Sequence, residues 1–120
     1  MWLFTKYGFL SVVRSGEDNS IMVRARDRNH LVRLQASKPD VLKGKKILAS
    51  PDSDYGFRTI LSWEEWLALA VDLAGDIDYS NFKEEVGKQN IKGPYLATLH
   101  RVWQLVGNML QKDWIFSQRE

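Results

Sequence analysis

Residues 9–26 read Phe9-Leu10-Ser11-Val12-Val13-Arg14-Ser15-Gly16-Glu17-Asp18-Asn19-Ser20-Ile21-Met22-Val23-Arg24-Ala25-Arg26, two runs of strand character around a turn. In the second run Ile21, Val23 and Ala25 alternate with Met22, Arg24 and Arg26. That period of two gives a half-buried strand with one apolar face and one polar face. The first run is rich in β-branched and aromatic residues and extends back to Trp2, with Gly8 as a bend or bulge that splits it. Between them, residues 15–20 supply Gly and Asn for positive φ and acids that keep the tip in water. The two runs make a hairpin, and a hairpin sets the fold class.

Working toward the C-terminus, Asp27 can cap a short helix from Arg28 with Leu31, Leu34 and Val32 facing inward and Pro39 as its stop. Residues 38–46 read as a loop, Ile47 to Ala49 as a short strand, and Tyr55 to Leu61 as a strand with Tyr55, Phe57, Thr59 and Leu61 on one side. Ser62-Trp63-Glu64-Glu65 is a capping box, and the helix behind it places Trp66, Ala70, Leu73 and Ile77 at helical spacing up to Gly75. Asp78 or Ser80 caps a further short helix with Phe82 and Val86. After Gly93-Pro94, the residues Leu96, Leu99, Trp103, Val106 and Leu110 step by three and four, a continuous apolar stripe. The expected fold is therefore α+β: an antiparallel sheet of three to five strands with three to four helices packed on one face, as a single domain over residues 1–120.

Charge is sorted along the chain. Residues 1–50 hold ten Lys/Arg against four Asp/Glu, and residues 51–100 hold four against nine. A polarised surface of that kind steers partners. The absence of cysteine excludes disulfides, thiolate metal sites and cysteine nucleophiles. No run approaches the ~18 apolar residues that span a bilayer, and the N-terminus lacks the pattern of a signal peptide. A cytoplasmic protein is the expectation, with no membrane partner.

Met1-Trp2-Leu3-Phe4-Thr5-Lys6-Tyr7-Gly8-Phe9-Leu10-Ser11-Val12-Val13, Val23-Arg24-Ala25-Arg26-Asp27 and Asp76-Ile77-Asp78-Tyr79-Ser80-Asn81-Phe82-Lys83 resemble a family of short bacterial proteins of unknown function. With Tyr95 and Val102-Trp103 the resemblance runs over most of the chain. It implies a bacterial or phage origin and a complete protein, and it assigns no role to any residue.

The candidate binding residues are Arg24, Arg26, Arg28, Arg33, Lys45, Lys46 and Trp114. Arg24 and Arg26 share a strand face, and Arg28 begins a helix, where the dipole disfavours a cation. Cations placed against local preference, with Tyr7 and Phe9 nearby in sequence, are what a nucleic-acid face needs. The plainer alternative is a solvated face whose arginines pair with the protein's own acids. With Ile21, Val23 and Ala25 taking the core side, Arg24, Arg26 and Arg28 are expected to be exposed and free of a folding role. Trp114 is either part of a docked tail or of an apolar partner patch. Trp66 and Trp103 are expected in the core.

Asp52, Asp54, Asp76 and Asp78 offer two oxygen ligands at each of two places, without a third group at a diagnostic spacing, so no metal site is expected. His30 and His100 lack a sequence partner for acid–base work, and no nucleophile elbow or phosphate-cradling loop occurs, so no catalytic residue and no cofactor are expected. The leading expectation is a non-enzymatic bacterial or phage module that binds another macromolecule, first of all a protein. Nucleic-acid binding through the arginine strand is the alternative, and a metal-dependent hydrolase ranks last.

Overall fold

The computed structural model describes residues 1–120 except 17, 89–92 and 120, and among residues 111–119 it describes the backbone alone. Its elements are β1 (Trp2–Thr5), β2 (Gly8–Arg14), β3 (Ile21–Ala25), α1 (Arg28–Ser37), α2 (Pro39–Leu42), β4 (Leu48–Ala49), β5 (Phe57–Leu61), α3 (Trp63–Gly75), α4 (Phe82–Lys88) and α5 (Pro94–Arg119). The strands form one antiparallel sheet in the order β1-β2-β3-β5-β4, and the fold is α+β. The chain divides into two compact units, Met1–Ser80 and Asn81–Glu120.

Gly8 splits the first run as its lack of a side chain suggests, and the reason is steric. Its φ is +150°, and a Cβ there would lie 2.2 Å from Cγ of His30. The chain reverses at Lys6 and Tyr7, where the Thr5 hydroxyl accepts the N–H groups of Tyr7 and Gly8. His30 is buried and structural. Its Nδ1 accepts the Phe9 N–H at 3.1 Å, and burial holds its pKa below the usual imidazole range against the pull of Asp27.

Alternation then sorts every strand. Leu10 and Val12, Ile21, Val23 and Ala25, and Leu61 face α1–α3 and pack with Leu31, Leu34, Leu42, Trp66 and Leu69. Each fully buried Leu contributes about 1.5–3 kcal/mol, so this layer carries most of the first unit's stability. The capping box is present in full: the Ser62 hydroxyl accepts from the Glu65 N–H, and the Glu65 carboxylate accepts from the Ser62 N–H. The Asp27 carboxylate likewise accepts from the Asn29 N–H at the start of α1.

Three local expectations are corrected. The chain beyond Pro39 is not all loop, because Pro39 sits at the first position of α2, where its missing N–H is harmless. Tyr55 lies before β5 and leaves the side shared by Phe57, Thr59 and Leu61. Asn81, rather than Asp78 or Ser80, caps α4, its side-chain oxygen accepting from the Glu84 N–H.

In the second unit Val86, Tyr95 and Leu99 are buried. The stripe does not continue into a core: Trp103 is 67% exposed, and Val106 and Leu110 are exposed as well. Length explains this within the unit. The seven residues of α4 span roughly 10 Å at 1.5 Å per residue, against roughly 39 Å for the 26 of α5. What Trp103 does have is the Lys83 ammonium, 4.6 Å from its ring centre.

Candidate functional site

The side of the sheet turned away from α1–α3 is built from the other half of the alternation. Register aligns Trp2 with Ser11, Ser11 with Arg24, Arg24 with Arg58, and Arg58 with Leu48. One cross-strand row therefore spans all five strands with two arginines at its centre. On one flank lie Val13, Met22 and Ile60, again aligned by register and half-buried. On the other lies an aromatic corner. Phe4 and Phe9 stack with centroids 4.7 Å apart, Trp2 meets Phe9 edge-on at 5.5 Å, and Tyr55 lies 6.4 Å from Phe9. Trp2 is 67% exposed.

The arginines are held in place by neutral groups. Arg24 donates from Nη2 to the Ser11 hydroxyl at 2.8 Å, and its guanidinium lies over the Tyr55 ring at 4.5 Å. Arg58 donates from Nη2 to the Ser53 hydroxyl and the Tyr55 carbonyl, and from Nη1 to the Met22 sulfur at 3.7 Å. The Nε atoms of both are buried with no hydrogen-bond partner among the described residues. Among the described residues no carboxylate lies within 4 Å of either guanidinium. Like charges placed directly opposite on neighbouring strands repel, and a buried donor left unsatisfied costs on the order of 1–3 kcal/mol. The sheet accepts both penalties at one spot.

A second polar cluster has the opposite character. Lys38 is 4% exposed, with its ammonium 2.7 Å from Asp72 and 2.8 Å from Asp76. The Tyr7 hydroxyl donates to Asp76 at 2.8 Å, and the Tyr7 carbonyl accepts from Nε of Arg33. Burial would lower the Lys38 pKa, but the hydrogen bonds to Asp72 and Asp76 outweigh it and raise the value. Burial would raise Asp76, and the bonds from Lys38 and Tyr7 hold it below the usual carboxylate range instead. Burial and the bond to Asp76 push Tyr7 up. The cluster is satisfied and ties the β1–β2 turn to the end of α3.

The residues singled out from sequence are scattered among different duties. Arg26, Arg28 and Lys46 are exposed. Arg24 belongs to the central row and is half-buried, so the expectation of an exposed arginine fails for it. A strand-centre side chain beside a Ser and a Tyr finds partners before it finds water. Arg33 holds the Tyr7 carbonyl, and Lys45 pairs with Glu65 at 2.6 Å. The Trp114 side chain lies outside the described residues. Among the described residues no group of His, Asp or Glu could hold a metal ion, and no helix is long and apolar enough to cross a membrane. Arg58, Ser11 and Tyr55 were missed. The signal for Arg58 was its place between Phe57 and Thr59, which puts it on the outward parity; nothing in sequence pairs it with Arg24.

No protein-family model, curated protein or solved structure matches the chain.

Proposed function

We propose that the protein is a non-enzymatic binding module that takes up single-stranded nucleic acid on the sheet face built around Arg24 and Arg58. The observation that carries this is the pair of guanidiniums, without a carboxylate partner among the described residues, set among Trp2, Phe4, Phe9 and Tyr55. Single strands are bound by this combination, because every base offers a face to stack on and every linkage offers a phosphate. Trp2 is the most open ring and the first to receive a base. Arg24 and Arg58 are pre-positioned by Ser11, Ser53 and Tyr55, so little side-chain freedom is lost when a phosphate arrives. The exposed Arg26 and Arg28 follow directly in the chain and extend the basic track.

Fluorescence anisotropy of labelled oligoribonucleotides and oligodeoxyribonucleotides tests this. Binding should weaken steeply with salt, and Arg24→Ala or Arg58→Ala should each lower the logarithmic salt slope by about 0.7. Trp2→Ala should lose about 1–3 kcal/mol of affinity with the slope unchanged. Absence of binding at low salt, or binding that ignores all three variants, overturns the reading. The flank of Val13, Met22 and Ile60 favours a second reading, a protein partner whose acidic group meets the arginines, since Trp, Tyr, Met and Arg are enriched at protein interfaces. Displacement of the oligonucleotide by polyglutamate at equal charge concentration would favour that reading.

A further inference from the structure

We propose that the free edge of β1, together with the cavity beside it, is a docking groove for an extended peptide that joins the sheet as an added strand and lodges one large apolar side chain against α3. This site is separate from the arginine face, although β1 serves both. Its side chains Trp2 and Phe4 belong to that face, and its backbone edge belongs to the groove.

The hydrogen-bond phase of the β1–β2 ladder makes the edge available. The Met1 amine donates to the Val12 carbonyl, and the Val12 N–H donates to the Met1 carbonyl, each at 2.8 Å. Bonded and non-bonded pairs alternate along an antiparallel ladder. Leu3 and Thr5 therefore spend their backbone groups on Leu10 and Gly8. The N–H and C=O groups of Trp2 and Phe4 point away from β2, and β1 is the outermost strand on that side. Among the described residues neither makes another backbone hydrogen bond. An edge of this kind, without Pro, Lys or a bulge within β1, is a template for pairing.

The cavity supplies the specificity. It measures about 250 Å³ and lies between β1 and α3, with Leu3, Tyr7, Trp66, Ala70, Leu73 and Ile77 in its wall. An apolar cavity of roughly 150 Å³ accommodates benzene, so this one takes a branched aliphatic or aromatic side chain. On an added strand, the residue opposite Leu3 points to the same side of the sheet as Leu3. That side is the cavity. The small side chains of Ala70 and Ala74 on α3 keep the space open. The unpaired backbone groups select a peptide over a small apolar molecule, which would leave them unmet. A second copy of the chain fits less well, because the Leu3 it would bring to the groove already lines its own cavity.

The experiment selects random peptides by display on the full-length chain, then measures the best synthetic peptide by calorimetry and amide hydrogen exchange. The enriched peptides should alternate in polarity around one large apolar residue, and binding should slow exchange at the Trp2 and Phe4 amides. Replacing that residue by Ala, N-methylating the peptide where it faces β1, or filling the cavity with Ala70→Phe should each weaken binding by about tenfold or more. Ala74→Leu serves the same purpose should Ala70→Phe fail to fold. Neither variant should alter oligonucleotide binding, which separates this site from the arginine face. Four results overturn the proposal: no enrichment over a blank surface, equal binding by the cavity-filled variant, equal binding by the N-methylated peptide, or protection of Trp2 and Phe4 that tracks dimer formation without peptide.

Discussion

Lys38 and Arg24 are both cations drawn out of water in the same eighty-residue unit, on opposite sides of the sheet. Lys38 has two carboxylates within 2.8 Å and a phenol bonded to one of them. Arg24 and its neighbour Arg58 have a hydroxyl, a carbonyl, a thioether and a ring and, among the described residues, no carboxylate. A buried charge whose counter-charge comes from its own chain is part of the scaffold. Under the proposed function, one without such a counter-charge among the described residues marks the surface where a bound phosphate supplies it. The contrast separates two roles that look alike in sequence, where all three are simply basic residues.

The largest effect should fall on the satisfied cluster. Lys38→Ala strands Asp72 and Asp76 together and should cost about 2–4 kcal/mol, below the full cost of a fully buried pair because Asp72 is well exposed. A urea midpoint unchanged from the parent would break the comparison. The same cluster fixes the pH window. Asp76 is depressed from 3.8, so its contribution is present above 3.8 and lost as pH falls below it. Lys38 and Tyr7 are raised from 10.5 and 10.0, so theirs are present below 10 and lost as pH rises. In Lys38→Ala the acid edge should shrink and the Lys38 part of the alkaline edge should vanish, while the Tyr7 part stays, because burial and Asp76 raise Tyr7 and Lys38 opposes them.

On the other side of the sheet, Arg24→Met and Arg58→Met should each change stability by no more than about 1 kcal/mol, since a buried unpaired donor disappears along with the bonds made. Oligonucleotide affinity should drop about tenfold or more in the same variants. Unfolding of either would make it a scaffold residue like Lys38. Ser62→Ala removes one half of a reciprocal cap and should cost about 1 kcal/mol in thermal or urea melts, with binding untouched. Trp103→Ala is the smallest. An exposed ring partnered by a lysine should cost within about 0.5 kcal/mol, and a loss of several kcal/mol would show that its face is covered.

Much of the first unit was legible because its signals are local. The alternation of Ile21 to Arg26, the turn at 15–20 and the box at Ser62 to Glu65 each depend on residues a few positions apart, and each is present in the structure. The helix stripe was legible as a helix and misleading as a core, because periodicity states which residues share a face and not what lies against it. Trp103 illustrates the difference.

Sequence alone determined the main strands, the caps of α1 and α3 and the alternation within β2, β3 and β5, since φ/ψ preference, turn chemistry and period are properties of short segments. Only the tertiary structure decided that Arg24 faces Arg58, that Lys38 meets Asp72 and Asp76, and that β1 is the outermost strand beside a cavity. Each of those rests on strand order or on contacts between residues more than thirty positions apart, or on a neighbour that is missing. Such relations are fixed by the joint packing of the whole unit, and no short window of the chain contains them.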